Sequence, residues 1–177
     1  RPDLREQGRV PRIDAELALD GHHAVRLEAR PATADGPVAV DLARLVHTAL
    51  RLRPDRLVVG EFRGVEVLAA VEAMNTGHDG SLSTCHANGA LDALGRMETL
   101  LMQAAPTWPL PAIRRQVARS LDVVVHVERQ PDGSRRVVEV AEIVDVVGHD
   151  GEPSIAVLAD GRGVLRPLTR RRGAGAS

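Results

Sequence analysis

Residues 52–64 read LRPDRLVVGEFRG, and this stretch decides what kind of fold the chain builds. Leu57, Val58 and Val59 are strand-forming aliphatics, Pro54 stops whatever precedes them, and Gly60 and Gly64 bracket Glu61, Phe62 and Arg63. The run predicts a short, fully buried strand over 56–60 that presents Glu61 at its carboxyl end. In open α/β sheets ligands bind at that end, so a carboxylate there is better placed for chemistry than one on a solvated helix.

Outward from this strand, elements alternate. VEVLAAVEAMN (65–75) predicts a helix through Val67, Leu68, Val71 and Met74 that ends at Gly77. SLSTCHA (81–87) predicts a short strand, and ALDALGRMETLLMQA (90–104) a helix capped by Asn88. Upstream, Asp41 caps a helix whose apolar stripe is Leu42, Leu45, Val46, Ala49 and Leu50. HAVRLEAR (23–30) alternates Val25, Leu27 and Ala29 against Arg26, Glu28 and Arg30, the period of a half-buried strand with the three charged residues on one face. Strand and helix repeated in this order predict a parallel-sheet α/β fold with right-handed crossovers.

The flanks differ. Residues 1–12, with Pro2 and Pro11, read as a loose lead-in rather than an element. A helix from Pro111 to about Ser120 is followed by DVVVHVER and RRVVEVAEIVDVV, two strands of a hairpin around PDGS. SIAVLA and GVLRPL straddle the turn DGRG, and TRRRGAGAS, with nothing to bury, is expected to be disordered.

At 177 residues and 44% hydrophobic composition the chain can bury one sizeable core, and a single domain is the default. A formal charge of -1 gives no global basic field, which argues against a nucleic-acid binder working through net charge. Cys85, the one cysteine, cannot form an internal disulfide and reads as a small core residue. No apolar run approaches the roughly 20 residues of a membrane helix, and RPDLREQGRV lacks the apolar region of a signal peptide, so a cytosolic protein is expected. All 23 basic residues are arginine. A phosphate loop of the form G-x-x-x-x-G-K-[ST] is therefore impossible within these residues, because its lysine ammonium must reach the phosphates. The chain begins at Arg1 rather than methionine, which reads as a piece of a longer or processed protein.

Beside GEFRG stands NTGHDGSLSTCHAN, residues 75–88. Gly77 and Gly80 allow close backbone approach, while His78, Ser81, Ser83, Thr84, His86 and Asn88 supply polar atoms. These groups either bond locally in turns and caps or face a ligand, and the residues alone leave both open. A zinc site of His78, Cys85 and His86 is disfavoured: in extended chain the histidines lie roughly 26 Å apart, whereas zinc ligands sit about 2 Å from one ion.

LRPDRLVVGEFRG, MNTGHDGSLSTCHAN and ALDALGRMETL resemble, in order and spacing, consecutive blocks of the secretion and pilus-assembly traffic ATPases of type II and type IV secretion, nearest to the Tad pilus branch. HAVRLEARP resembles the family's arginine-bearing strand, and LPAIRRQVARSLDVVVHVER its carboxyl-terminal segment; the likeness covers about residues 10–145. The resemblance implies a RecA-like P-loop NTPase core, a mainly parallel sheet with helices on both faces, truncated before the phosphate-binding loop and followed by a C-terminal β-hairpin extension. It divides the chain into a partial ATPase domain (1–145), a short β extension (146–168) and a disordered tail (169–177).

It also implies roles. Glu61 is similar to the Walker B glutamate that polarises the attacking water, the alternative being a structural carboxylate paired with Arg63 or Arg53. His86 resembles the histidine-box residue that contacts the γ phosphate and communicates with Glu61, and His78 belongs to the same box. Arg26 and Arg30 resemble arginine fingers acting across a subunit boundary, or else form a solvated face through Glu28; Arg51, Arg53 and Arg96 are weaker candidates. Glu16 and Leu17 match the tail of the family's acidic box, but Arg12 and Ile13 stand where its acidic pair is expected unless Asp14 substitutes, so Asp14 and Glu61 are candidates for holding a metal through water. ATP and Mg²⁺ are the implied cofactors, a homo-oligomer, specifically a hexamer, the implied assembly, and inner-membrane platform proteins the implied partners at the cytoplasmic face, with no nucleic acid. The competing reading is a decayed, non-catalytic paralogue that acts as an interaction module.

Overall fold

The structure is a computed structural model that describes residues 10–12, 24–30, 39–147 and 152–169, without the side chains of 10–12 and 145–147. The chain divides into two compact units, Arg1–Cys85 and His86–Ser177.

The first unit is built on a four-stranded parallel sheet. Its strands are β1 (Val10–Arg12), β2 (Ala24–Arg26), β3 (Val58–Val59) and β4 (Leu82–Ser83), in the order β2-β1-β3-β4. The parallel α/β expectation holds. Among its described residues the unit has two helices, α1 (Leu42–Arg51) and α2 (Glu66–Met74), buried along the stripes their sequences prescribe except at Leu42, Leu50 and Leu68, which are half-buried. Asp41 caps α1 as expected, its Oδ1 accepting the Arg44 amide at 2.7 Å. Leu45, Val46 and Ala49 face inward, and Arg53 at φ 50 closes the helix before Pro54. In α2 the buried set is wider, including Val67, Ala70, Val71 and Met74.

Four local expectations are corrected. Residues 10–12 form β1, an interior strand, although Pro11 removes one amide and the three-residue run carries no period; a proline there masks a strand by weakening its local signal. The 23–30 strand is regular only over Ala24–Arg26; Arg30 makes an isolated antiparallel bridge to Val40, and Val25 is exposed rather than inward. The strand expected over 81–87 is regular only over Leu82–Ser83, β4, which lies at the edge of the described sheet. The N-cap of the helix at 90–104 is Gly89, not Asn88.

In the second unit, α3 (Ala90–Ala104) and α4 (Leu110–Ser120) pack on an antiparallel sheet ordered β5-β6-β7-β8. Its strands are β5 (Val123–Arg129), β6 (Arg135–Val147), β7 (Glu152–Asp160) and β8 (Gly163–Val164). Leu94, Leu101, Ile113, Val117 and Ile143 are fully buried in its core. The hairpin expected around PDGS is present, with Val125 opposite Val140. In its turn, Asp132 Oδ1 accepts from the Ser134 hydroxyl and amide, which holds the Asp132 carboxyl below its ordinary value.

Charged groups join the elements of this unit. Arg114 of α4 reaches Glu98 of α3 at 3.3 Å and Glu152 of β7 at 3.5 Å. The start of α3 is capped from β6, Glu139 Oε2 accepting the Ala90 amide at 3.0 Å, while Asp92 accepts from the backbone and side chain of Asn88. Glu142 has 0% exposure and is held by the Thr169 amide at 3.0 Å, the Thr169 hydroxyl at 2.8 Å and the Arg166 guanidinium at 3.7 Å. Thr169, where the sequence expects a disordered tail to begin, is thus tied to the sheet; residues 170–177 lie outside the described residues. Among the described residues no helix is long and apolar enough to cross a membrane.

Removing the Glu142 carboxylate deprives Thr169 of its acceptor. Glu142→Ala is expected to lower stability by about 1.5–3 kcal/mol, the range for a charge-assisted hydrogen bond, as measured by urea denaturation. Hydrogen exchange on the same variant should show the Thr169 amide losing protection.

Candidate functional site

The strand β3 and the residue before it are buried: Leu57, Val58 and Val59. The strand pairs with β4 through Val58 and Leu82 and through Val59 and Ser83, and the pairing runs on beyond both strands. On the amino side, Leu82 donates its amide to the Leu57 carbonyl, and the Leu57 amide is taken by Ser81 Oγ, both at 2.9 Å. On the carboxyl side, the Phe62 amide donates to the Thr84 carbonyl at 2.9 Å and Thr84 Oγ1 donates to the Gly60 carbonyl at 2.5 Å. Glu61 therefore sits between two backbone groups that are both held by Thr84. The Phe62 ring, 2% exposed, anchors the same turn from below.

The Glu61 side chain is 17% exposed, against 78% for Arg63. Arg63 Nε and Nη2 both donate to Glu61 Oε2, at 2.8 and 2.5 Å. Of the two cations that sequence reasoning offered as partners for Glu61, the structure selects Arg63. The loop is also gripped from α2: Glu66 Oε1 accepts the amides of Arg63 at 2.6 Å and Gly64 at 2.8 Å.

The histidines part company. His78 lies before β4, at the amino end of the parallel pair, whereas Glu61 follows the carboxyl end of β3. The His78 Nδ1–H donates to the Ala73 carbonyl at 2.9 Å, which fixes the ring to the end of α2, and Ser81 Oγ donates to the His78 carbonyl at 2.6 Å. Gly77 at φ 94 and Gly80 at φ 81 make this turn, and a Cβ on Gly80 would lie 2.9 Å from Arg56 Nε. The glycines serve the turn. His86 lies past the end of β4 and is exposed as the first residue of the second unit.

Arg26 is exposed at the end of β2, in the cross-strand row Arg26, Arg12, Val58, Leu82. Two strand spacings of about 4.8 Å place its backbone roughly 10 Å from Val58. Arg30 is exposed at its bridge to Val40. Asp14 and Glu16 lie outside the described residues. Among the described residues no group of three or more His, Cys, Asp or Glu could hold a metal ion, so the His78, Cys85, His86 zinc reading gains no support.

Sequence reasoning missed Glu66; Thr84, one of the polar residues expected either to bond locally or to face a ligand, orients backbone instead of facing a ligand. Glu66 left one signal, a carboxylate in the first turn of a helix just after a glycine, where free amides collect. Which carbonyl the Thr84 hydroxyl takes left no signal, because it is 24 residues away.

This arrangement can be set beside known proteins. The conjugal transfer protein TrbB of Rhizobium radiobacter is 40% identical over 135 residues, covering 76% of this chain and 37% of the relative. The type IV secretion system protein PtlH of Bordetella pertussis is 37% identical over 144 residues, covering 78% of this chain and 41% of the relative. Among solved structures, the VirB11 ATPase from the Brucella suis type IV secretion system matches with a TM-score of 0.66 and 31% identity, over 75% of this chain and 39% of that one. The chain thus spans about two fifths of the length of these relatives. Its fold is the RecA-like one expected. The family model described as type II/IV secretion system protein matches residues 14–159, and the chain belongs to that family.

Proposed function

We propose that this chain is the Walker B and histidine-box part, residues 1–145 with a β extension over 146–168, of an ATPase that powers a type II or type IV secretion or pilus-assembly machine. The observation that carries the reading is Glu61: a carboxylate at the carboxyl end of a buried parallel strand, its flanking backbone pinned on both sides by Thr84. A group fixed this way can orient a water for in-line attack on a γ phosphate without reorganising during the reaction. Relatives named as a VirB11 ATPase, a type IV secretion protein and a conjugal transfer protein support the same reading.

Within it, Glu61 polarises the attacking water and His86 contacts the γ phosphate. Arg26 and Arg30, both exposed, serve as fingers toward the nucleotide of a neighbouring subunit in a homo-oligomer, a hexamer in this proposal. His78 is kept in this proposal as a histidine-box residue with Nδ1 engaged, but at the end of the strand pair away from Glu61 and not beside the γ phosphate. Glu16 is proposed to act in catalysis with Glu61 and His86, and Asp14 and Glu61 to hold the metal through water. Mg²⁺ is usually held by one or two carboxylates together with phosphates and waters, and Glu61 is a carboxylate of the required kind. When bound, the ion would neutralise charge on the β and γ oxygens. We further place the assembly at the cytoplasmic face of the inner membrane, against platform proteins of the machine, with the Tad pilus branch as its finer assignment.

A second reading, a non-catalytic interaction module, is favoured by one observation: Arg12 and Ile13 stand where the family's acidic pair is expected. The two are separated by ATP hydrolysis measured on the longest product of the reading frame that contains this chain. Glu61→Gln is expected to reduce kcat by about 10²–10⁴-fold, the usual contribution of general base catalysis, while leaving ATP binding within a few fold. Activity indifferent to the substitution would overturn the catalytic assignment.

The finger assignment makes a different demand. Arg26→Ala and Arg30→Ala should each lower kcat, by up to about 10³-fold for a true finger. Mixing either variant with Glu61→Gln subunits should restore part of the activity, because one interface of the mixed assembly regains both groups. A mixture no more active than its components would sink the trans role.

A further inference from the structure

We propose that Glu66 is a positioning residue for Glu61 and that it acts through Arg63; the inference rests on the reading of Glu61 as the hydrolytic carboxylate. Glu66 is 7% exposed, and a carboxylate so buried persists only if its oxygens are hydrogen-bonded. Both hydrogen bonds to it come from one short stretch, the Arg63 amide at 2.6 Å and the Gly64 amide at 2.8 Å, accepted by the same Oε1. A capping-box carboxylate reaches back to one amide just ahead of its helix, whereas Glu66 takes two. These two precede α2 and belong to the loop that carries Glu61, so the carboxylate folds that loop back onto the helix start.

Gly64 shows how close the approach is. A Cβ there would lie 3.1 Å from Glu66 Oε2, so a larger residue would require the carboxylate to shift by a few tenths of an ångström. With its backbone fixed by Glu66, Arg63 turns its guanidinium two residues back, and Nε and Nη2 converge on Glu61 Oε2 at 2.8 and 2.5 Å. An exposed ion pair is worth little by itself, since a long side chain loses rotamer freedom to make it and solvent screens it. Arg63, 78% exposed, is such a case. Fixing its backbone removes part of that cost, and two bonds to one oxygen set the rotation of the Glu61 carboxylate. Contact thus runs from Glu66 to the Arg63 backbone, and from the Arg63 guanidinium to Glu61. Neither Glu66 nor the Arg63 backbone needs to touch a nucleotide for this to matter, because misplacing a catalytic group by about 1 Å can cost on the order of 10²-fold in rate.

The test uses the longest product of the reading frame, with kcat, KM for ATP and amide hydrogen exchange at Arg63 and Gly64 as readouts. Glu66→Ala is expected to lower kcat roughly 10- to 100-fold while KM moves less than about threefold, with protection at both amides lost. Glu66→Gln, whose amide oxygen still accepts both amides, should recover most of the rate and the protection. Arg63→Ala removes an exposed side chain and should lower kcat in the same way while the amides stay protected. If Glu66→Ala loses amide protection and keeps its kcat, or Arg63→Ala keeps its kcat, the positioning role is overturned. Should Glu66→Ala fail to fold by circular dichroism, Arg63→Ala and Glu66→Gln decide. Retained activity in Glu61→Gln instead overturns the reading of Glu61, a result distinct from any of these.

Discussion

Everything proposed for the first unit depends on how β3 and β4 stay paired past the ends of both strands. The regular ladder covers only Val58–Val59 and Leu82–Ser83, too short to define a site. Thr84 extends it, taking the Phe62 amide on its carbonyl and giving its hydroxyl to the Gly60 carbonyl. Buried backbone groups must find partners, and here the partner for the Gly60 carbonyl is a side chain rather than another amide. The turn that follows β3 is thereby as well determined as the strand itself. Phe62 below and Glu66 beside it leave Glu61 a narrow range of positions.

Carboxylates recur as the means of closing backbone ends in this chain. Glu66 takes two amides ahead of α2, Glu139 takes the first amide of α3 from a neighbouring strand, and Glu142 takes the Thr169 amide beneath the segment after β8. Where carboxylates of this chain meet a permanently charged side chain it is an arginine, since the sequence contains no lysine. A guanidinium offers several donors in a fixed plane, which suits Arg63 on Glu61 and Arg114 between Glu98 and Glu152. Ion pairs in this protein therefore carry direction as well as charge.

Much of this organisation was legible beforehand. The stripe of Leu45, Val46 and Ala49, the buried run Leu57–Val59 and the hairpin around PDGS follow from period and turn chemistry, and the structure reproduces each. The family was legible too, because the blocks around Glu61 and His86 stand in a fixed order and spacing. What failed was local. Pro11 hid β1, alternation overextended β2, and Asn88 was preferred to Gly89 as a cap because the acceptor for the Ala90 amide comes from Glu139, 49 residues away.

By itself the sequence determined the alternation of elements, the placement of Glu61 at a strand's carboxyl end and the absence of any lysine for a phosphate loop in these residues. These are properties of neighbours along the chain, and periodicity and turn residues record them. Only the tertiary structure decided that Arg63 rather than Arg53 holds Glu61, that Thr84 locks the turn and that His78 lies at the opposite end of the strand pair. Those choices depend on which groups meet across gaps of up to 24 residues and on the register in which two strands pair. Neither is written in any local pattern.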